Sequence, residues 1–186
     1  MGKDDRAAGH ARHNARPQRG VPVTKPILIL NGPNLNLLGR REPHIYGTTT
    51  LAEVEDLCAR RAAQRGLAIV FRQSNSETEI VEWIQGGIDD AAGIIINAAA
   101  FTHTSVAIHD ALKMVTGPVI ELHISNPHRR EPFRHQSYVT PAATALICGL
   151  GVGGYPLAVD AMADLLNAGA ALASTPGADG SSSGRT

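Results

Sequence analysis

The segment NGPNLNLLGRREPHIYG, residues 31–47, combines side chains that could carry out proton-transfer chemistry. Two adjacent arginines, Arg40 and Arg41, precede Tyr46 by a few residues. A tyrosine ordinarily titrates near pH ~10, and a fixed cation beside it favours the ionised phenol. The segment separates a strand-like stretch from a helix-like one, and loops of this length are usually functional. We therefore expect a tyrosine base in this loop.

A matching acid is offered by His123, in the run VIELHISN. This histidine ends an apolar strand, where an unpaired imidazole is costly to bury. Glu121 lies two residues earlier and points to the same face in a strand, so its carboxylate could orient the imidazole and favour its protonated form. The alternative is a hydrogen-bonded core histidine with no chemical role. The position at the end of the strand favours function, and an acid paired with a base indicates an elimination catalyst.

Three further polar residues are candidates for substrate contacts. Asn97 could donate to and accept from a polyol, and His103 could contact a hydroxyl or a carboxylate. The segment FTHTS also opens a helix, so Thr102 or Thr104 could serve as its cap. Arg134 lies in a proline-containing loop, where an arginine is usually solvated, but this loop follows the strand of His123 and an anion contact is plausible.

The elements that would position these residues alternate between strand and helix. The predicted strands are Ile27–Leu30, Leu67–Phe71, Gly93–Ile96, Val119–Ile124 and Thr144–Cys148. The predicted helices start after the cap signals TLAE and SNSE and near Ser105 and Tyr155, and they end near Arg65, Trp83, Val115 and Leu172. This alternation predicts a parallel sheet with helices on both faces, whose ligand lies at the carboxyl ends of the strands. That edge would gather Asn31, Asn34, Asn97, His103, His123 and Ser125.

Length and composition limit the classes of protein. The 186 residues suit one domain at 26–172, between a basic tail at 1–25 and a polar tail at 173–186, both expected to be disordered. Zero net charge and few aromatic residues argue against a nucleic-acid-binding protein, and no apolar run is long enough to span a membrane. Neither Cys58 nor Cys148 has a CxxC partner, so we expect reduced, buried thiols in a cytoplasmic protein.

Three other chemistries are disfavoured. The run GLGVGG at 149–154 fits a dinucleotide-binding pattern, but no further strand with an acidic residue follows it, so we expect a tight, close-packed turn. The histidines between His103 and His135 do not form a familiar metal motif. Lysine is confined to Lys3, Lys25 and Lys113, which leaves no good candidate for Schiff-base catalysis.

Five ordered motifs in the chain closely resemble those of type II 3-dehydroquinate dehydratases. They are NGPNLNLLGRREPHIYG, RQSNSE, NAAAFTHTS, ELHISN and EPFRHQSY, and the resemblance extends from about Pro26 to Leu166. The resemblance implies a flavodoxin-like fold with a five-stranded parallel sheet and an assembly of twelve subunits, built as a tetramer of trimers. It implies dehydration of 3-dehydroquinate to 3-dehydroshikimate by anti elimination through an enolate, without metal or organic cofactor.

The resemblance also implies a role for each matching residue. Tyr46 would be the base, Arg41 would keep it ionised, and His123 would be the acid. Asn34 would hold a water that stabilises the enolate oxygen. The remaining substrate contacts would come from Asn97, His103, Arg134, the backbone amides of Ile124 and Ser125, and, in a neighbouring subunit, Asp110.

Departures from the family pattern are small and lie at Phe101, Ala99 and Ala100, while the basic N-terminal extension is longer than usual. Two rival interpretations remain at this point. One is a non-enzymatic flavodoxin-like module, such as a receiver or a small-molecule binder, and the other is a related lyase that acts on another hydroxylated cyclic ketone.

Overall fold

The structure, a computed structural model, describes residues 25–39 and 48–174, with side chains through residue 170. Five parallel strands form one sheet in the order β2-β1-β3-β4-β5. This is the flavodoxin-like strand order, so the predicted fold class is confirmed. The strands are β1 Ile27–Asn31, β2 Ile69–Gln73, β3 Gly93–Asn97, β4 Val119–His123 and β5 Ala145–Cys148.

Four helices cover the two faces of the sheet. They are α1 Leu51–Gln64, α2 Glu77–Asp90, α3 Val106–Lys113 and α4 Gly154–Ser174. Helices α1 and α4 pack together on one face, and α2 and α3 pack together on the other. Short 3-10 turns follow the strands on the side where the candidate site lies.

Strand alternation divides the core into two layers, as the period of two requires. In β1, Ile27 and Ile29 belong to the α1–α4 layer, while Leu28 and Leu30 belong to the α2–α3 layer. The three central strands β1, β3 and β4 are buried along their whole length. The backbone at their carboxyl ends is therefore held rigidly, which is the requirement for a precise site.

The predicted helix caps are largely confirmed. Thr50 and Glu53 form a reciprocal capping box, in which Thr50 N donates to Glu53 Oε2 at 2.7 Å and Glu53 N donates to Thr50 Oγ1 at 3.3 Å. The Ser76 side chain caps α2. At α3 the capping residue is Ser105, whose Oγ accepts from Ile108 N at 2.9 Å, and neither predicted threonine caps this helix.

Several predicted boundaries differ from the structure, and two of the differences have clear local reasons. Strand β2 begins at Ile69 rather than Leu67, because the Leu67 amide still donates to Ala62 O of α1 at 2.9 Å. Helix α2 continues past Trp83 to Asp90. Its second glycine, Gly87, does not end the helix but lets it approach the sheet, since a Cβ there would lie 2.9 Å from Leu28 Cδ2.

Only the inner ends of the two predicted tails lie within the described residues. Helix α4 ends at Ser174, two residues into the predicted C-terminal tail. Apart from Lys25, the remaining residues of both predicted tails lie outside the described residues.

Both cysteines are free, as predicted, and burial raises the pKa of the Cys58 thiol to about 12. Cys148 is only half-buried, against expectation, because β5 is an edge strand. Within 25–39 and 48–174, no helix is long and apolar enough to cross a bilayer.

Candidate active site

A cleft of about 130 Å³ opens at the carboxyl ends of β1, β3 and β4. Polar side chains and apolar side chains share its wall, as is usual for small-molecule sites. The described lining residues are Pro33, Asn34, Leu35, Leu38, Asn97, Ala99, Ala100, His103, His123, Ile124, Ser125, Pro127, Arg130 and Arg134. The edge that the sequence predicted for a ligand is therefore the edge where the cleft lies.

Most of the predicted site residues meet in this cleft. Those brought together are Asn34, Asn97, His103, His123, Ile124, Ser125 and Arg134. Asp110 lies on an exposed face of α3 and does not line the cleft of its own chain. Arg41 and Tyr46 lie outside the described residues, in the stretch of sequence between the turn at Leu35–Leu37 and helix α1.

The pair formed by Glu121 and His123 is the most buried charged feature of the site. His123 Nε2 donates to Glu121 Oε1 at 2.8 Å, the Glu121 side chain is inaccessible to solvent, and His123 is 8% exposed. Both side chains project from β4 to the same face, as the sequence predicted. Nδ1 of His123 has no hydrogen-bond partner among the described residues, so it is the nitrogen left to face a ligand in the cleft.

Glu121 remains ionised despite its burial. Burial raises the pKa of Glu121, but hydrogen bonds from His123, Thr140 and Ser137 together outweigh it, and the net pKa lies below the ordinary value. Ser137 Oγ donates to Oε1 at 2.8 Å, and Thr140 Oγ1 donates to Oε2. A buried carboxylate with these partners can stabilise a positive charge on the adjacent imidazole.

A second network fixes the amide of Asn97. Asn97 Nδ2 donates to the hydroxyl of Tyr155 at 3.0 Å, and that hydroxyl donates to Asn31 Oδ1 at 2.6 Å. Asn31 Nδ2 in turn donates to Arg72 O at 3.0 Å. Asn31 was expected at the ligand edge, but it is fully buried below the cleft and supports Asn97 through Tyr155 instead.

Asn34 faces the cleft from a strained turn. Its backbone adopts the left-handed conformation, with φ of 68°, which asparagine tolerates better than most residues. The backbone amide of Asn34 donates to Asn75 Oδ1 at 2.8 Å, and Gln73 Nε2 donates to the same oxygen at 3.1 Å. These contacts tie the turn after β1 to the end of β2, while the Asn34 side chain lines the cleft.

His103 and Arg134 line the cleft from two short turns. His103 Nδ1 donates to Gln136 O at 2.7 Å, since a carbonyl can only accept, and this leaves Nε2 for a ligand. Arg134 Nε donates to Glu131 Oε2 at 2.9 Å, and its guanidinium lies 5.1 Å from the ring centroid of Phe133. The arginine is thus held in one orientation at the cleft wall.

The glycine-rich run 149–154 forms the tight turn that was predicted. The amides of Gly149 and Gly151 donate to His123 O and Ile124 O, at 3.2 and 3.0 Å. A Cβ on Gly149, whose φ is +81°, would lie 3.2 Å from Asn126 Cβ. The turn therefore braces the carboxyl end of β4, where His123 enters the cleft.

The charge of the cleft suits an anionic ligand. His103, His123, Arg130 and Arg134 line it, and no described lining residue is acidic. In the part of the chain that the structure describes, no group of three or more histidine, cysteine, aspartate or glutamate side chains is arranged to hold a metal ion. The cleft therefore offers hydrogen-bond donors and basic side chains to a ligand that carries a negative charge.

Sequence reasoning missed three supporting residues. Tyr155, Ser137 and Thr140 contact the site through their hydroxyl groups alone. Tyr155 lies in the first turn of α4, where the sequence pattern by itself indicates only the start of a helix. Ser137 lies within the motif EPFRHQSY and Thr140 two residues beyond it, and no local pattern at either position indicates which group its hydroxyl contacts.

Comparison with known proteins gives consistent matches. The family described as dehydroquinase class II matches residues 25–163. A protein named 3-dehydroquinate dehydratase from Acidovorax sp. (strain JS42) is 58% identical over 146 residues, which cover 76% of this chain and 99% of that protein. 3-Dehydroquinate dehydratase 2 from Pseudomonas aeruginosa is 53% identical over 148 residues, with 80% and 100% coverage. The crystal structure of type II dehydroquinase from Propionibacterium acnes superposes with a TM-score of 0.73 at 46% identity, covering 76% of this chain and 97% of that one.

Proposed function

Because the chain belongs to the class II dehydroquinase family, we propose that it dehydrates 3-dehydroquinate to 3-dehydroshikimate by anti elimination through an enolate. In this reaction a base removes a proton from the carbon next to the ketone, and the electrons pass to the ketone oxygen. The enolate then re-forms the carbonyl as the leaving hydroxyl accepts a proton, which releases water and a conjugated enone.

The observation that supports this proposal best is the buried pair of Glu121 and His123 in the cleft wall. An imidazole whose Nε2 donates to a carboxylate can hold a second proton on Nδ1 at lower cost than an isolated imidazole. Such a proton is available to the leaving hydroxyl. His123 is thus the acid of the proposed mechanism, and Glu121 orients it.

The base of the proposed mechanism is Tyr46, with Arg41 as its counter-charge. Lowering the pKa of a phenol by ~2–3 units needs ~3–4 kcal/mol of differential stabilisation. One guanidinium close to the phenol in a partly desolvated site has an effect of that order. In the sequence both residues lie between the turn at Leu35–Leu37 and helix α1, and in the proposed mechanism the segment that contains them closes over the substrate as a lid.

The remaining cleft residues have roles in binding. Asn34 would hold a water against the enolate oxygen, and the backbone amides of Ile124 and Ser125 would bind the substrate carboxylate. Hydroxyl groups of the substrate would contact the polar side chains of Asn97, His103 and Arg134. The lack of a described acidic lining residue favours a substrate with a carboxylate.

The biological setting extends the same proposal. We place the enzyme in the cytoplasm, in the shikimate pathway to aromatic amino acids or in the breakdown of quinate, without metal or organic cofactor. Its assembly would contain twelve subunits, arranged as a tetramer of trimers. Asp110 supports this arrangement in one respect, because its exposed position on α3 leaves it free to reach a neighbouring subunit.

The direct test is incubation of the purified chain with 3-dehydroquinate while the absorbance of the conjugated enone is followed. We expect saturable turnover, and we expect His123→Gln to lower kcat by roughly 10²–10⁴-fold, the usual contribution of a general acid. The matched control is His109→Gln, which changes a histidine of α3 outside the cleft. Absence of turnover with 3-dehydroquinate, together with turnover of another hydroxylated cyclic ketone from a panel, would overturn the assignment of substrate.

A further inference from the structure

Glu121 is held by two hydroxyl groups from a single turn that follows the cleft loop. Ser137 Oγ donates to Oε1 at 2.8 Å, and Thr140 Oγ1 donates to Oε2. With His123 Nε2 also on Oε1, both oxygens of the carboxylate are occupied. The carboxylate can neither rotate nor tilt without losing at least one of these contacts.

The direction of the Ser137 hydrogen bond is fixed by its own surroundings. A hydroxyl has one proton and two acceptor lone pairs. The amides of Val139 and Thr140 donate to Ser137 Oγ at 3.0 and 2.9 Å, so both lone pairs are in use. The only proton of Ser137 is therefore directed at Glu121, and the hydroxyl has no lone pair left to accept from a protonated carboxyl. The turn accommodates Glu121 as a carboxylate.

The ionised, oriented Glu121 in turn determines which nitrogen of His123 is protonated. A carboxylate oxygen can only accept, so Nε2 must carry a hydrogen. Nδ1 is then the nitrogen that exchanges a proton with a ligand in the cleft. If the Glu121 side chain were protonated or rotated, this preference would be lost. The imidazole of His123 would then populate both tautomers or turn away from the cleft.

We propose that Ser137 and Thr140 are positioning residues, which hold Glu121 so that His123 keeps its hydrogen on Nε2 and presents Nδ1 as the proton donor. This inference rests on the proposed function for its consequence in catalysis. Neither hydroxyl group touches the substrate, because neither Ser137 nor Thr140 lines the cleft of about 130 Å³. Both line an adjacent cavity of about 310 Å³, which also contacts Glu121 and His123.

The sharpest variant pair is Thr140→Val and Thr140→Ser. Valine keeps the size and branching of threonine but has no hydroxyl, whereas serine keeps the hydroxyl. Thr140→Val should lower kcat roughly fivefold to tenfold with KM changed by less than about twofold, the range expected for one lost hydrogen bond that acts on the chemical step. Thr140→Ser should restore most of the rate. Ser137→Ala is a weaker test by itself, because it also removes two hydrogen bonds within the turn.

A double-mutant cycle tests whether the effect passes through Glu121. Thr140→Val added to Glu121→Gln should cost almost nothing further, because the hydroxyl no longer has a carboxylate to position. The matched control is Thr144→Val, which removes a nearby threonine hydroxyl that accepts from Val119 N at 3.1 Å but does not contact Glu121. This control should keep the wild-type kcat. Equal losses of kcat in Thr140→Val and Thr144→Val, or full additivity with Glu121→Gln, would overturn the proposal.

A readout without substrate separates this inference from the proposed function. Nitrogen-15 NMR of histidine-labelled full-length protein reports the tautomer of His123, identified by the signal that disappears in His123→Gln. Wild type and Thr140→Ser should show hydrogen on Nε2, and Thr140→Val should show a mixture of tautomers. If wild type does not dehydrate 3-dehydroquinate while this pattern is found, the proposed function fails and the positioning role stands. If Thr140→Val keeps the wild-type tautomer and kcat, the positioning role fails.

Discussion

The hydroxyl of Tyr155 accepts a hydrogen bond from Asn97 Nδ2 at 3.0 Å, although the two residues are 58 positions apart in the chain. The same hydroxyl donates to Asn31 Oδ1 at 2.6 Å. Burial raises the pKa of the Tyr155 phenol, so this hydroxyl keeps its proton and acts as a fixed donor and acceptor. The side-chain amide of Asn97 is consequently oriented from below, while the other side of the residue lines the cleft.

Tyr155→Phe should lower both stability and substrate affinity. The substitution keeps the ring in the core but removes the hydroxyl partner of Asn97 Nδ2 and of Asn31 Oδ1, which costs about 1–3 kcal/mol of the free energy of unfolding. KM for 3-dehydroquinate should rise more than kcat falls, because Asn97 is proposed to bind the substrate and not to transfer a proton. Urea denaturation and steady-state kinetics measure the two effects.

The control for this variant is Tyr138→Phe. The Tyr138 hydroxyl has no hydrogen-bond partner among residues 25–39 and 48–174, so its removal should leave stability nearly unchanged. If Tyr155→Phe and Tyr138→Phe behaved alike, the buried network would have no part in holding Asn97.

Glu121→Gln should flatten the dependence of stability on pH in acid. The folded pKa of Glu121 lies below its ordinary value of 4.5, so the unfolded chain binds this proton more readily than the folded one. The stabilisation is therefore fully present above pH 4.5 and is lost as the pH falls through the lower folded pKa. Removing the charge should also lower the free energy of unfolding by about 3 kcal/mol at neutral pH, because the groups that donate hydrogen bonds to Glu121 would lose their charged acceptor.

Urea denaturation at a series of pH values from about 3 to 7, a range that extends below and above the ordinary glutamate pKa, follows this effect. Glu82→Gln, which changes an exposed carboxylate on α2, is the control and should keep the wild-type slope. If the free energy of unfolding of Glu121→Gln fell with decreasing pH as steeply as that of the wild type, the buried pair would not be the source of the pH dependence.

Tyr46→Phe should abolish nearly all turnover while substrate still binds. Phenylalanine keeps the ring but has no ionisable group, so the proposed base is lost and kcat should fall by at least about 10²-fold. Isothermal titration calorimetry measures binding and the enone assay measures turnover. A near-normal rate in this variant would remove Tyr46 from the role of base.

Arg41→Lys should be severely impaired although the charge is kept. A flexible ammonium does not place its charge as a planar guanidinium does, so it would stabilise the phenolate of Tyr46 less well. The limb of the pH–rate profile that reports ionisation of the base should move to higher pH, and kcat at neutral pH should fall. An unchanged profile would indicate that another group lowers the pKa of Tyr46.

Gly149→Ala should destabilise the end of β4. The left-handed φ of +81° is costly for alanine, and the new Cβ would press against Asn126 Cβ at 3.2 Å, so we expect a loss of about 1–2 kcal/mol. Gly86→Ala, in α2 with no atom within 4 Å of the new Cβ, should instead stabilise the protein by about 0.5–1 kcal/mol. Thermal or urea unfolding of the two variants measures whether their changes in the free energy of unfolding have opposite signs.

The sequence determined the order of the elements, the type of sheet and the edge at which the site lies. Alternation of apolar strands with capped helices predicts a parallel sheet, and polar residues directly after β1, β3 and β4 must then meet at one edge. The Glu121–His123 pair was predictable for the same reason, since two residues on one strand face the same side. These features depend on local properties, so the periodicity of side chains within a short segment is enough to predict them.

Only the tertiary structure decided which groups support that site. The hydroxyls of Tyr155, Ser137 and Thr140 find their partners 124, 16 and 19 residues away, across separate elements. A hydroxyl group can donate in any direction that its rotamer permits, so its partner depends on how helices and loops pack and not on local periodicity. The helix start that places Tyr155 between two asparagines, and the turn that directs Ser137 at Glu121, exist only once the sheet has brought distant strands together.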